Sequence, residues 1–526
     1  MNQSPVGHSV TKVDAFSKAT GAHIYPSDVV HEGMLWAQVL RTPHPHARIR
    51  AIDTEAAQNL PGVVCILTAK DVPGENRFGL IVHDQPVLCD EIARWEGDAL
   101  AVIAAETDEI ARQAREMIHV DFEPLPVVTD LEQALLPNAP TLHLQGNLCT
   151  EIQGGNDDIG AGFDDADFVF ESDYQTGRQE HAFLETEAGV AYYDEDGLLT
   201  LCVGGQNPFN DRRQIANALG LPEERIRVLH PMMGGAFGGK EDINIQIHLA
   251  LVTYWTKRPC RLMLDREESL RTGVKRHPFK VRYKTGVKKD GTVTACEVTI
   301  LADAGAYTSL SPAVLELATN HCCGPYNFPH TKITGKAIFT NNGNNSAFRG
   351  FGNPQVVVGI EQHMDMMANA VGMSPIEFRQ RNAIRQGQKS GAGFNVMGTV
   401  TLPRVLDSVQ ESDLWQQREQ LTQTSSRWKK RGLGFAAIWQ PFGLGAGLEQ
   451  GAHTRIELQI NGRYQAHISS PDLGGGIVTA CLQLAAHELH CTVDDFDVVS
   501  GDSLSPKAGS SNASRATFVV GASIMD

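Results

Sequence analysis

From Ala166 onward the 526-residue chain runs through one pattern twice, and this recurrence limits its possible folds more than any other feature. In the first copy Asp196-Gly197 lies between strand-like residues. The loop Gly204-Gly205-Gln206, a helix over 212–219, a strand over 226–229 and a glycine loop over 234–239 follow. The second copy has Asn461-Gly462, then Gly474-Gly475-Gly476, a helix over 479–489, a strand over 496–499, Gly501 and Gly509-Ser510-Ser511. Asn-Gly and Asp-Gly mark two-residue hairpins, because type I′ turns need positive φ at both central positions. The copies therefore read as two related domains, each presenting glycine loops from the ends of its strands. Asp290-Gly291 marks another hairpin inside the first, and the polar, helical stretch 407–430 reads as a connector. The second copy stops just past Ser514-Arg515-Ala516-Thr517, so the last domain is expected to be incomplete at Asp526.

Upstream, residues 13–130 read as a compact α+β unit. It has strands over 34–40 and 63–67, an apolar run over 100–105, a helix over 108–117 and a strand over 118–122. The Pro- and Gly-bearing stretch 136–162, with Gly154-Gly155-Asn156-Asp157-Asp158, has too few apolar residues for a buried element. The expected division is a linker over 131–165, a first repeat domain over 166–400, a connector over 401–430 and the start of a second over 431–526. A chain of this length suits three or four domains. With 42% hydrophobic and 20% charged residues it is not disordered or collagen-like. A formal charge of -17 repels phosphate backbones and anionic bilayers, so neither nucleic acid nor membrane is an expected partner. Residues 1–12 lack a basic start and an apolar run, and no stretch is apolar for long enough to span a bilayer. The ten cysteines are scattered apart from Cys322-Cys323 and include no CxxC, which leaves no disulfide framework or ordinary iron–sulfur motif. The expectation is a soluble, cytoplasmic protein.

Gly234-Gly235-Ala236-Phe237-Gly238-Gly239-Lys240-Glu241 nearly matches a nucleotide-binding phosphate loop, but Glu241 stands where that loop needs Ser or Thr. A carboxylate there offers no hydroxyl to Mg²⁺ and repels a triphosphate, so the nucleotide reading fails. Two readings stay open: backbone amides converging on another anion, or a tight strand-to-helix connection needing positive φ. Ala347-Phe348-Arg349-Gly350-Phe351-Gly352-Asn353-Pro354-Gln355 is a second such loop. Its Arg349 can stack on a ring or meet an anion, or the loop is a surface turn with Phe348 and Phe351 in the core. Gly474-Gly475-Gly476 and the hydroxyl-bearing segment 510–517 add donors, or are plain flexible loops. Four donor-rich loops over two repeated domains fit an extended, anionic, hydrogen-bonding ligand at the domain interface, such as a phosphorylated organic cofactor. His44 with His46, and His181 with Glu185 at helical spacing, lack a nearby third ligand, and polar surface is the preferred reading of both. Cys322-Cys323 reads as packing rather than a redox pair, and no serine-hydrolase GxSxG occurs.

The octet at 234–241 and the nonapeptide at 347–355 resemble the signature loops of the molybdenum hydroxylases, the xanthine dehydrogenase and aldehyde oxidase family. Arg41-Thr42-Pro43-His44-Pro45-His46-Ala47-Arg48-Ile49 resembles the a/b hammerhead domain of their large subunits. The order of hammerhead, Gln206 loop, Phe-Gly-Gly loop, Phe-Arg-Gly loop and Ser-Arg-Ala-Thr segment also follows the family. Residues 74–105 look closest to the nicotinate dehydrogenase-type branch, in which the molybdenum subunit is split into two chains.

The resemblance implies an α+β chain: a hammerhead domain, then molybdopterin-binding α/β domains, the last truncated. It implies molybdenum held through a pterin dithiolene, with the cytosine dinucleotide form of the cofactor as one option. Gln206 matches the glutamine near a molybdenum oxygen ligand, and Phe237 and Gly238 the pair whose backbone lies beside the oxo groups. Arg349 matches the loop arginine near the metal, so Gln206, Phe237 and Arg349 would lie nearest to it. Ala347 and Ala513 match the pterin wall, while Ser514 and Thr517 match contacts to the pterin or its phosphate tail. Phe351 matches the aromatic that stacks on a flat heterocycle, and Glu241 the carboxylate that meets its ring nitrogen or oxygen. The implied reaction hydroxylates an electron-poor ring carbon of an aromatic N-heterocycle of purine or pyridine type, with oxygen from water. Electrons would leave through [2Fe-2S] clusters and FAD, here on an iron–sulfur subunit and an FAD subunit.

Three positions depart from the family. The base, a glutamate in a Gly-x-Gly-Glu segment, has no counterpart, so no catalytic residue is assigned in this chain and a companion carrying the remaining molybdopterin domain is expected to supply it. Gly475, beside Gly476, stands where a pterin-binding glutamine is usual. Leu317 stands where xanthine-oxidising members carry an arginine, and losing that cation changes which heterocycle is bound. The alternatives are an aldehyde-oxidising member, or a non-catalytic cofactor-holding or structural remnant.

Overall fold

The computed structural model describes residues 4–156, 158–443 and 450–526; Asp157 and the first residues of the N-terminal stretch read above lie outside the described residues. Both repeats fold by one rule. In the first, Ala188–Tyr193 and Leu199–Val203 pair antiparallel around Asp196-Gly197. The helix Pro208–Leu219 then carries the chain to Ile226–Leu229, parallel to Leu199–Val203. In the second, Arg455–Leu458 and Tyr464–Ile468 pair antiparallel around Asn461-Gly462, and the helix Ile477–Glu488 leads to Phe496–Ser500, parallel to Tyr464–Ile468. A parallel neighbour requires such a crossover, so each helix follows from its strand order. Local signals set the first helix: Asn207 accepts from the Phe209 and Asn210 amides, Pro208 opens the first turn, and Gly220 ends it at φ 62°.

Ile226–Leu229, Leu199–Val203 and Ala188–Tyr193 form one end of a seven-stranded sheet that continues through Cys260–Met263, Leu35–Arg41, Ala99–Ala105 and Val63–Thr68. Leu35–Arg41 runs parallel to Cys260–Met263, with Leu35 opposite Cys260. Residues 13–130 therefore share a sheet with the first repeat, and a boundary at 130 divides the chain without dividing the sheet. Their elements otherwise fall where the apolar pattern placed them, including the helix Asp108–Met117, whose Thr107 hydroxyl caps the Ile110 amide.

The stretch expected to be a linker is a correction. Leu148–Asn156 is a strand paired antiparallel with His330–Phe339 at the edge of a second sheet, and a helix, Ile159–Asp164, follows. An edge strand needs backbone partners rather than two apolar faces, and most of its residues are exposed or half-buried. That sheet runs Phe168–Gln175, Phe279–Val287, Val293–Gly305, His330–Phe339, Leu148–Asn156. The helices Ser311–His321 and Asn353–Ala370 cover it, burying Tyr283, Val298, Ile300, Leu315 and Ile360. Cys322 and Cys323 lie in this core, as packing requires. The connector is helical over Leu402–Glu411, Asp413–Gln416 and Arg418–Gln423. Among the described residues no helix is long and apolar enough to cross a membrane.

Candidate cofactor and substrate site

Gln206 joins the two repeats. Its loop follows the strand Leu199–Val203, and the residue is 2% exposed. Its Oε1 accepts from the Gly238 amide at 3.0 Å, while Nε2 donates to Glu241 Oε2 at 2.7 Å and to the Ser511 carbonyl at 3.2 Å. Its own carbonyl accepts from the Ser511 amide at 3.0 Å and the Ser510 hydroxyl at 3.2 Å. The loops over 234–239 and 510–517, far apart in the chain, thus meet on one side chain. The amide orientation is fixed, because reversing it would set a donor against the Gly238 N–H and an acceptor against the carboxylate.

Glu241 is buried, with Oε1 accepting from Ser510 Oγ at 2.7 Å and Asn512 Nδ2 at 2.9 Å. Burial, with Asp242 and Asp211 nearby, pushes its carboxyl up to about 7 against those two donors. The next residue, Asp242, accepts from the Ser309 and Ser346 hydroxyls and is also pushed up by burial. Lys240 is buried against Glu185, donating to its carbonyl at 2.9 Å, and is held below its usual range by burial. The lysine of the near-phosphate-loop therefore props the loop from behind.

The Phe-Arg-Gly loop packs main chain to main chain on the first. The Arg349 amide donates to the Phe237 carbonyl at 2.9 Å, and a Cβ on Gly238, whose φ is 102°, would lie 2.7 Å from the Ala347 carbonyl oxygen. His181 Nε2 donates to that same carbonyl at 2.8 Å and stacks on Phe348 with ring centres 4.2 Å apart. Burial pushes His181 down to about 4, which keeps it neutral. Residues 181–185 are not helical, so the spacing considered for a metal pair is not realised; His181 positions the second loop instead. The cation stacked in this loop is Arg276, 3.8 Å from the Phe348 ring centre. Arg349 is exposed. Phe351 packs partly into the sheet core beside the helix Ser311–His321, which carries the half-buried Leu317.

The glycine triplet is held by Asp472, whose carboxylate accepts from the Gly474, Gly476 and Val478 amides at 2.9, 3.0 and 3.2 Å. The Asp472 carbonyl accepts from the Met233 amide at 3.0 Å, which brings the triplet beside the first glycine loop. Gly475 is exposed and faces open space. Ala513 and Ser514 are exposed on the last loop, and Thr517 is exposed on the helical turn Ala516–Val520 that follows it. Arg515, 2% exposed, shapes that loop by donating to the Ala508 and Ser510 carbonyls, each at 3.1 Å.

Gln206, Gly238, Glu241, Phe237, Arg349 and Ala347 are thus in one continuous network, and Gly475 and Gly476 adjoin it through Met233. Leu317 and Thr517 make no direct hydrogen bond to that network among the described residues. Sequence reasoning missed Asn512, Asp472 and the role of His181. An Asp two residues before a glycine triplet that opens a helix is a readable capping signal; nothing in sequence links Asn512 to Glu241.

Eight non-glycine residues have positive φ among the described residues, and four of them, Phe237, Phe351, Ala513 and Ser514, are positions matched to cofactor or substrate contact. Such backbone costs about 1–3 kcal/mol each and persists where surroundings impose it. The exposed Arg349 guanidinium, the exposed Ser514 and Thr517 hydroxyls and the open Gly475 fit the oxygens and phosphate of a pterin cofactor, whereas the inner amides and the Ser510 hydroxyl are taken up in holding the loops. No group of three or more His, Cys, Asp or Glu is placed to hold a bare metal ion among the described residues. The polar-surface reading of the His44 and His46 pair is half corrected: His44 lies half-buried against the Phe122 ring, while His46 is buried and bonds the Pro126 carbonyl.

Two glycine-looped repeats behind a mixed α+β domain, meeting on a glutamine, define the architecture of a molybdopterin-binding protein. The molybdopterin cofactor-binding domain profile matches residues 142–383, and a second such profile matches 407–526. The aldehyde oxidase and xanthine dehydrogenase a/b hammerhead profile matches 20–126. A probable xanthine dehydrogenase subunit of Bacillus subtilis is 40% identical over 97% of this chain and 68% of its own length. The nicotinate dehydrogenase large molybdopterin subunit of Eubacterium barkeri is 40% identical over 77% of this chain and 96% of its own. Among solved structures, quinoline 2-oxidoreductase from Pseudomonas putida superposes with a TM-score of 0.92 at 26% identity, over 100% of this chain and 70% of that one. The aldehyde oxidoreductase of Desulfovibrio gigas gives 0.92 at 28% identity, over 98% of this chain and 58% of that one. The chain belongs to the xanthine dehydrogenase and aldehyde oxidase family of molybdopterin-binding oxidoreductases.

Proposed function

We propose that this chain is the molybdopterin-binding subunit of a xanthine dehydrogenase-like hydroxylase acting on an aromatic N-heterocycle, and that it works with companion chains. The observation that carries the reading is the Gln206 side chain, held at once by Gly238, Glu241 and Ser511. Gln206, Phe237, Gly238, Ala347, Arg349, Gly475, Gly476, Ala513, Ser514 and Thr517 would hold the Mo-molybdopterin, and Glu241, Phe351 and Leu317 the substrate. When bound, the molybdenum cofactor supplies the two-electron oxidation and the water-derived oxygen.

The chain's own contribution is orientation and charge. Gln206 uses its side-chain amide on Gly238, Glu241 and Ser511, so it holds the loops in place, and a cofactor oxygen that bonds it displaces one of these contacts. Arg349 brings an exposed positive charge to the same rim. Glu241, with a carboxyl near 7, can donate or accept a hydrogen bond around neutral pH, which suits a ring nitrogen or carbonyl. Opening that site to substrate requires Ser510 or Asn512 to release one carboxylate oxygen. Leu317 offers no charge to a xanthine-like dione, so purines and pyridines lacking that demand are favoured. A Gly-x-Gly-Glu segment outside these 526 residues supplies the base, and iron–sulfur and FAD subunits carry the electrons away.

The test is expression of the chain with its genomic neighbours. The expected result is near-stoichiometric molybdenum and pterin in the purified complex, with turnover of hypoxanthine or nicotinate. Full assembly with metal and pterin but turnover of aldehydes alone would move the reading to an aldehyde-oxidising member. Assembly without either activity would leave a cofactor-holding remnant.

A further inference from the structure

The N-terminal segment crosses the start of the second repeat and returns to the first. Ser4 Oγ meets His487 Nδ1 at 2.9 Å, and Gln483 Nε2 donates to the Pro5 and His8 carbonyls at 2.9 and 3.0 Å. The Val13 amide donates to Thr479 Oγ1 at 3.2 Å. All three partners lie on the helix Ile477–Glu488, the one that the glycine triplet opens. Lys12 reaches the triplet itself: Nζ donates to the Gly474 carbonyl at 2.9 Å, and its methylene chain lies 3.3 Å from where a Cβ of Gly476 would be. Beyond the short helix Ala15–Thr20, His23 Nε2 donates to the Met232 carbonyl at 2.9 Å, one residue before the amide that bonds Asp472. The segment thus bridges the two loops that must stand side by side.

We infer that residues 4–23 act as a strap across the repeat junction, and that Lys12 is a positioning residue for the Gly474-Gly475-Gly476 loop, holding it in the form that receives the pterin. The second half of this statement rests on the function proposed above. Three glycines in a row have little conformational preference of their own. Asp472 fixes the triplet's N–H groups from inside, and Lys12 fixes a carbonyl from outside. The two contacts restrain the loop from opposite sides, whereas either alone leaves it a free edge. The Lys12 side chain is 40% exposed, and its ammonium also lies 3.7 Å from Asp14, which Lys18 pairs at 2.7 Å. The lysine is therefore aimed by its neighbours as well as by the carbonyl it holds.

The test compares Lys12→Met and Lys12→Arg with the unchanged chain, each in the complex with its companion chains. Hydrogen exchange at the 474–478 amides reads the loop directly. Pterin retained after prolonged dialysis reads the cofactor. Lys12→Met is expected to speed loop exchange roughly tenfold, the size of a lost charged hydrogen bond, and to lower retained pterin severalfold at an unchanged global melting temperature. Lys12→Arg should restore both. Unchanged exchange in Lys12→Met overturns the strap, and faster exchange with unchanged pterin retention overturns the positioning role. If the unchanged complex holds no pterin, the function proposed above fails, while the exchange arm still decides the strap.

Discussion

Glu241 concentrates the chemistry of one residue. A carboxyl raised from 4.5 to about 7 holds its proton more tightly in the folded chain than in the unfolded one. Its contribution to stability is thus largest at low pH and is lost as pH rises from about 4.5 through about 7. The whole difference corresponds to about 3 kcal/mol. Glu241→Gln removes this dependence, so the variant should gain on the parent between pH 5 and pH 8 in denaturant unfolding; parallel pH curves would refute the raised carboxyl. Turnover should fall in the same variant while molybdenum content stays, since the side chain faces the substrate in the proposed reading. Gly238 is constrained in a different way. Its φ of 102° and the nearby Ala347 carbonyl leave no place for a methyl group. Gly238→Ala should cost more than about 2 kcal/mol, seen as a lower melting temperature, and should also deplete bound pterin.

At the scale of the element, the repeat is set by strand order and the loops are set by caps. Hairpin tips at Asp196-Gly197, Asp290-Gly291 and Asn461-Gly462 were readable because each needs a glycine at positive φ, here 73°, 85° and 82°. The residue before each glycine keeps negative φ, so these are longer turns closed by a left-handed glycine and not the two-residue type I′ turns expected. The helices after the first and last of these tips, expected over 212–219 and 479–489, run over Pro208–Leu219 and Ile477–Glu488. The strand Leu148–Asn156 was not, because an edge position asks for backbone pairing and its residues carry no alternating apolar face. Asp472 is the element-scale counterpart of Asn207: each stands before a repeat helix and accepts from its first turn, Asn207 from Phe209 and Asn210, Asp472 from Val478 as well as from the loop glycines Gly474 and Gly476. Asp472→Ala should destabilise the second repeat by about 1–2 kcal/mol, with exchange rising first at 474–478. A uniform rise across the whole chain would instead mean that the cap serves global folding.

The whole molecule is organised by contacts between segments far apart in sequence. Leu35–Arg41 joins the hammerhead region to the first repeat through Cys260–Met263. The N-terminal strap reaches the second repeat. Glu241 draws Ser510 and Asn512 from the other end of the chain. These contacts join cores that can still open separately: Lys12→Met should loosen the second repeat without lowering hydrogen-exchange protection of the five-stranded sheet around Tyr283, which lies in a core of its own.

Taken alone, the sequence determined the local grammar of this protein: where hairpins turn, which segments are helical, and where its glycine loops recur. Those features depend on residues within a few positions of one another, through φ preferences, caps and apolar period. Only the tertiary structure decided that Asn512 and Ser510 clamp Glu241, that Arg276 rather than Arg349 stacks on Phe348, that His181 supports a carbonyl, and that the expected linker closes a sheet. Each depends on the three-dimensional meeting of groups separated by scores to hundreds of residues, which no local preference encodes.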